Sequence, residues 1–244
     1  MELTEVGDGV IAVRGRDVNW TLLRDGASFT LVDAGYPRYA AAIRNSIRLA
    51  GLDLAGLEAI VVTHAHIDHI GGVQALRAAM SVPVFVGAPE LPMAVGHRTE
   101  SAGPLDVAKR LWQPRVAPWS LRITAAGGAG HETVPDAIAV ADGAVLDIPG
   151  RPAVVLTPGH TSGHICLRSG GALMTGDALI TGHAITGRKG PQLAAGFFHT
   201  DAQQAAAALD RIAPLDATVI VPGHGPVWHG TPRDAAAIAR GTAP

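Results

Sequence analysis

Thr63-His64-Ala65-His66-Ile67-Asp68-His69 follows directly on the apolar run Ala59-Ile60-Val61-Val62. Four side chains able to bind a metal fall within six residues, at the end of what reads as a buried strand. Burying imidazoles and a carboxylate is costly unless something pairs with them, and a divalent cation pairs with all of them at once. Gly71-Gly72 then suits a tight exit from the loop into a helix.

Four further segments carry chemistry in the same style. Thr157-Pro158-Gly159-His160-Thr161-Ser162-Gly163-His164 follows a strand-like run, as does Thr175-Gly176-Asp177. Val221-Pro222-Gly223-His224-Gly225-Pro226 does so near the end, and Leu31-Val32-Asp33-Ala34-Gly35 near the start. In order and spacing these segments, with His64-X-His66-X-Asp68-His69, resemble the motifs of the metallo-β-lactamase superfamily of hydrolases, over roughly residues 7 to 230.

That resemblance implies an α/β (α+β) fold, a four-layer αβ/βα sandwich with two ββα-type halves packed sheet to sheet. The expected division is a hydrolase domain over 1–230 and a short tail, helical or frayed, over 231–244. The resemblance also implies two metal ions. His64, His66 and His160 would hold the first, Asp68, His69 and His224 the second, and Asp177 would bridge them. Zinc is the first expectation, while nitrogen and oxygen donors also suit iron or manganese. A metal-bridging hydroxide would attack a carbonyl carbon, with Asp68 and Asp177 as the catalytic carboxylates. A purely structural metal site is the competing reading of the same residues. Asp33 is either a carboxylate that orients a ligand imidazole or a plain strand-end turn.

The segment from Thr157 to Leu167 resembles glyoxalase II, which points to a thioester substrate. Glyoxalase II carries a helical glutathione-binding extension, whereas this chain ends twenty residues after His224. Ester hydrolases, acyl-homoserine-type lactonases and β-lactamase-like amide hydrolases share parts of the ligand set. The lactonases use a tyrosine near the metals, and both tyrosines here, Tyr36 and Tyr39, fall in an early helix. A mononuclear iron sulfur dioxygenase and a non-catalytic metal-binding member complete the alternatives.

Other residues read plainly. His164 is a hydrogen-bonded histidine at a strand start, and Cys166 a small buried hydrophobe. His97, His131, His183, His199 and His229 read as surface or loop histidines. Arg188 and Lys189, followed by Phe197-Phe198, make either a basic loop over the site or a solvated turn.

The pattern predicts strands at 10–13, 20–23, 29–32, 59–62, 82–86, 145–148, 153–156, 165–167, 172–174 and 218–221. A helix begins near Pro37 and ends at Gly51, with Ile43 and Ile47 on its inner face. Thr200 and Gln203 read as a capping box for a helix that buries Ala205, Ala208, Leu209 and Ile212. Residues 96–103 have no period and read as a surface loop.

The chain of 244 residues is 48% hydrophobic, which supports a sizeable core, and its formal charge of −2 argues against a nucleic-acid partner. No run reaches the length of a membrane span, and the N-terminus lacks the basic and apolar regions of a secretion signal. Cys166 stands alone, which excludes an intramolecular disulfide and fits a reducing, cytoplasmic setting. The expected partner is a small acyl substrate; a homodimer is one option for the assembly.

Overall fold

The computed structural model describes residues 1–78, 80–100 and 102–241. Strands β1 (Glu2–Gly7), β2 (Val10–Arg14), β3 (Trp20–Asp25), β4 (Ser28–Val32), β5 (Leu57–Val61), β6 (Val84–Gly87) and β7 (Ile138–Val140) form one sheet, in that order. The first four pair antiparallel, and β4 to β7 pair parallel. The second sheet takes β8 (Ala153–Leu156), β9 (Ile165–Ser169), β10 (Ala172–Gly176), β13 (Val219–Pro222) and β14 (Trp228–His229), and a ribbon of β11 (Ile180–Gly182) and β12 (Lys189–Gln192) stands apart. The helices are α1 (Ala40–Leu49), α2 (Ile67–Ile70), α3 (Val73–Arg77), α4 (Leu91–Ala94), α5 (Pro104–Ala108), α6 (Val116–Ala125), α7 (Ala202–Ile212) and α8 (Pro232–Arg240).

Strand alternation builds the layers. Val10 and Ala12 of β2 pack with Ile165, Leu167, Met174, Val219 and Val221 of the second sheet, while Ile11 and Val13 face the opposite way. That opposite face receives Ile43 and Ile47 of α1 and Val73 and Leu76 of α3. In the second sheet the intervening Cys166, Leu173 and Ile220 turn outward to meet Leu209 and Ile212 of α7 and Ala235, Ala236 and Ala239 of α8. A period of two thus gives each sheet one face against its partner and one against helices, which is the αβ/βα sandwich. Among the described residues no helix is long and apolar enough to cross a membrane.

Most expected strands and helices are present, and two local readings are corrected. Residues 145–148 do not form a strand; they make one isolated bridge, Val145 to Ala153. Gly150 and Arg151 take positive φ, so the chain doubles back before a ladder can extend. Helix α7 is capped by Asp201, whose carboxylate accepts from Gln204 N–H at 2.9 Å, rather than by Thr200. The Thr200 hydroxyl is turned to the Glu100 carboxylate instead. After residue 230 the chain forms α8, and residues 242–244 of the expected tail lie outside the described residues.

Between α4 and β7 the chain makes a long excursion that holds α5 and α6. It closes on itself where Val134 N–H donates to Ala94 O at 2.8 Å.

Candidate metal centre

The donors arrive on the C-terminal ends of strands. Asp33 leaves β4, His64 to His69 leave β5, His160 follows β8, Asp177 follows β10 and His224 follows β13. Because β8, β10 and β13 run in one direction, the second sheet delivers all its ligands to the edge where β4 and β5 deliver theirs. Every candidate ligand is brought together there: His64, His66 and His160 form one group, Asp68, His69 and His224 another, and His64, His69 and Asp177 a third.

Hydrogen bonds fix which nitrogen of each ring faces the centre. His69 Nδ1–H donates to Asp33 Oδ2 at 2.8 Å. The Thr63 hydroxyl donates to the same Asp33 carboxylate at 2.9 Å, so its oxygen accepts from His64 Nδ1–H at 3.1 Å. His66 Nε2–H donates to Glu100 O and His224 Nδ1–H to Asp17 O, both at 2.6 Å. His199 Nε2–H donates to Ala194 O at 3.1 Å, which leaves its Nδ1 lone pair to accept from His160 Nδ1–H at 3.2 Å. The five inward nitrogens therefore turn to the centre. Burial keeps the His64 and His160 rings neutral, so theirs carry lone pairs. Against burial the facing carboxylates raise His69 and His224, whose inward nitrogens take a proton or a cation.

Among the described residues these nitrogens meet only one another and the carboxylates of Asp68 and Asp177. His66 Nδ1 lies 3.0 Å from both His64 Nε2 and His160 Nε2, and no proton is left to share among the three. His69 Nε2 and Asp177 Oδ1 are buried without a hydrogen-bond partner among the described residues. Asp177 Oδ2 lies 3.2 Å from His224 Nε2 and 3.5 Å from His160 Nε2, between the two groups of donors. Converging imidazole nitrogens beside ionised carboxylates fit divalent cations and no neutral filling.

The electrostatics agree. Burial opposes charge on Asp68, yet His69 and His224 outweigh it and hold its carboxyl down to about 2. Burial also opposes charge on Asp177, which His224 and His69 hold well below the usual carboxylate range. Burial depresses His69, but Asp33, Asp68 and Asp177 lift it to about 9. A field that strong for a proton is strong for a cation.

Several residues that sequence reasoning left outside the site belong to it. His199 supports His160 as described, and His183 packs its ring 4.9 Å from that of His224, so neither is a plain loop histidine. His131 and His183 both line the cavity in front of the donors, whereas His97 and His229 are exposed. Tyr36, 2% exposed, also lines the cavity with Asp68, and its hydroxyl has no hydrogen-bond partner among the described residues. It is thus near the metal-binding face, contrary to the expectation from its early position in the chain. Arg188 and Lys189 are exposed on the β11–β12 ribbon and do not line the cavity.

His164 and Cys166 match their plain readings. His164 Nε2 accepts from Asp177 N–H at 3.0 Å, and its Nδ1–H donates to Thr157 Oγ1 at 2.8 Å. Burial pushes this ring down to about 3, so it is neutral. Glu90 was not legible at all: its carboxylate accepts from Ala65 N–H, Thr161 Oγ1–H and Gly163 N–H, which clasps two ligand loops together.

The profile of the Metallo-beta-lactamase superfamily matches residues 13–224. The chain belongs to this superfamily. Among similar proteins, a probable metallo-hydrolase of Bacillus subtilis, YflN, is 29% identical over 206 residues, covering 81% of this chain and 75% of its own. A hydroxyacylglutathione hydrolase of Alkalilimnicola ehrlichii is 33% identical over 189 residues, covering 77% of this chain. The chain spans only 54% of that hydrolase's length. Among solved structures, the metallo-beta-lactamase SMB-1 superposes with a TM-score of 0.68 at 18% identity, covering 99% of this chain and 94% of its own. A metallo-beta-lactamase family protein of Thermus thermophilus gives 0.64 at 24%, covering 95% and 77%. The superfamily member described here thus has the metallo-β-lactamase fold and, on it, His and Asp groups able to hold metal.

Proposed function

We propose that this protein is a dinuclear metal-dependent hydrolase that acts on the carbonyl carbon of a thioester, ester or lactone. The observation that carries the reading is the set of five histidine ring nitrogens converging with the Asp68 and Asp177 carboxylates on one buried face, where Asp177 Oδ1 has no hydrogen-bond partner among the described residues. His64, His66 and His160 are assigned to one cation, Asp68, His69 and His224 to the other, and Asp177 to both. When bound, such a pair supplies a water acidic near pH 7 and a Lewis acid for the carbonyl oxygen.

The chain's own groups supply the rest. Asp68 is ionised and 17% exposed towards the cavity, which suits it to orient the attacking water by accepting its hydrogen bond. Asp33, Glu100, Asp17 and His199 hold the ligand rings in orientation. The Tyr36 side chain lines the cavity beside Asp68 and is placed to donate to the substrate's carbonyl or leaving oxygen, which favours keeping the lactone branch beside the thioester one.

Elemental analysis of metal per chain, with an activity screen on the same sample, tests the reading. Two zinc ions per chain with thioester, ester or lactone turnover is the expected result. One iron with sulfur oxidation would move it to a dioxygenase. A fully loaded protein inert to every carbonyl substrate would move it to a binding role.

A further inference from the structure

The cavity in front of the metal-binding face has a volume of about 530 Å³. Away from the donors its wall is built by Met93, Val107, Leu111, Trp119, Ile123 and Phe198, most of them from the α5–α6 excursion. The charged groups on this wall do not offer an anion a seat. Arg98 is paired with Glu100 and hydrogen-bonded to the Ser162 hydroxyl. Glu132 is itself an acid, and burial pushes its carboxyl up. Arg110 lies against the Phe197 ring at 4.0 Å and does not line the cavity.

We infer that this wall is an acyl site: the substrate carries an uncharged apolar acyl or aryl group, and the site disfavours the carboxylate-bearing glutathione thioesters. The inference rests on the hydrolase reading for its chemistry, but the wall that carries it is independent of the metals. A glutathione moiety would bring carboxylates to a wall that, among the described residues, has no unpaired Arg or Lys and whose His131 stands beside Glu132, and would lose hydration there without compensation. An alkyl chain loses only water-exposed apolar surface, and each buried methylene contributes about fourfold in affinity.

The test uses the zinc-loaded protein and two series. Thioesters of one neutral thiol, from acetyl to octanoyl, are compared with lactoylglutathione. The expected result is a kcat/KM that rises about fourfold per methylene until the cavity fills, with lactoylglutathione well below the longer members. A flat or falling series, or lactoylglutathione as the best substrate, overturns the proposal. Alkyl methyl ketones of matching length, which cannot be hydrolysed, read the wall without turnover by calorimetry. Tightening with length supports the acyl site even if every thioester is inert, a result that would instead remove the thioester branch of the hydrolase reading. No tightening overturns the acyl site whatever the turnover. In Val107→Trp the octanoyl-to-acetyl ratio of kcat/KM should fall at least about tenfold. Should that variant fail to fold, Leu111→Ala should reduce the gain per methylene.

Discussion

A β-carbon placed on Gly223 would lie 2.3 Å from Asp177 Oδ1 and 2.8 Å from His69 Cε1. The glycine is there because the ligands fill the space a side chain needs. Gly223→Ala should therefore weaken metal binding about 10- to 100-fold by displacing those ligands, measured by chelator competition. Asp177→Ala should leave at least one of the two sites unfilled by elemental analysis; a fully metallated, active variant would defeat the bridging assignment. Cys166 gives a chemical prediction. Burial pushes its thiol up to about 12, so the unreactive thiol form persists in the folded protein from neutral pH to well above 9. Iodoacetamide should label it only as fast as the protein unfolds, and rapid labelling at pH 8 would contradict its burial. The clustering of the candidate donors was legible because donor types crowd together in a way no apolar core tolerates. His199, Glu100 and Asp17 were not, since each acts through one hydrogen bond to a ring 34 to 207 positions away, and local pattern carries no trace of that.

At the scale of elements, Glu90 at the start of α4 ties the loop after β5 to the loop after β8 through three donors. Gly163 allows the approach, because a β-carbon there would lie 2.0 Å from Glu90 N. Glu90→Ala leaves those buried donors unsatisfied and should cost about 3 kcal/mol in urea unfolding. Strands and helices were legible from alternation and from the apolar face of α7, which buries the residues expected. The error at 145–148 has a definite cause. Alternating Val145 and Asp147 look like a strand, but pairing depends on where the chain goes next, and here it turns back through Gly150 and Arg151 within a few residues. The capping error is similar: Thr200 and Asp201 both suit a cap, and the distant Glu100 decides between them.

Over the whole molecule, each metal group draws ligands from both sheets: His64 and His66 with His160, and Asp68 and His69 with His224. Bound metal therefore joins segments 94 positions apart and more, and stabilises the folded chain by mass action. Stripping metal with a chelator should lower Tm by about 5–15 °C, reversed by zinc, for about 3–4 kcal/mol of linkage in a domain of this size. An unchanged Tm would mean that the ligands hold their places unaided.

The excursion that carries the acyl wall begins and ends at one backbone hydrogen bond, Val134 N–H to Ala94 O, and it contributes none of the seven donors. Reaction and recognition therefore lie largely on separate stretches of chain, joined at Glu100, whose carbonyl orients His66. The wall can drift or be swapped like a cassette provided Glu100 keeps its place, and a new specificity then requires no rebuilding of the seven donors.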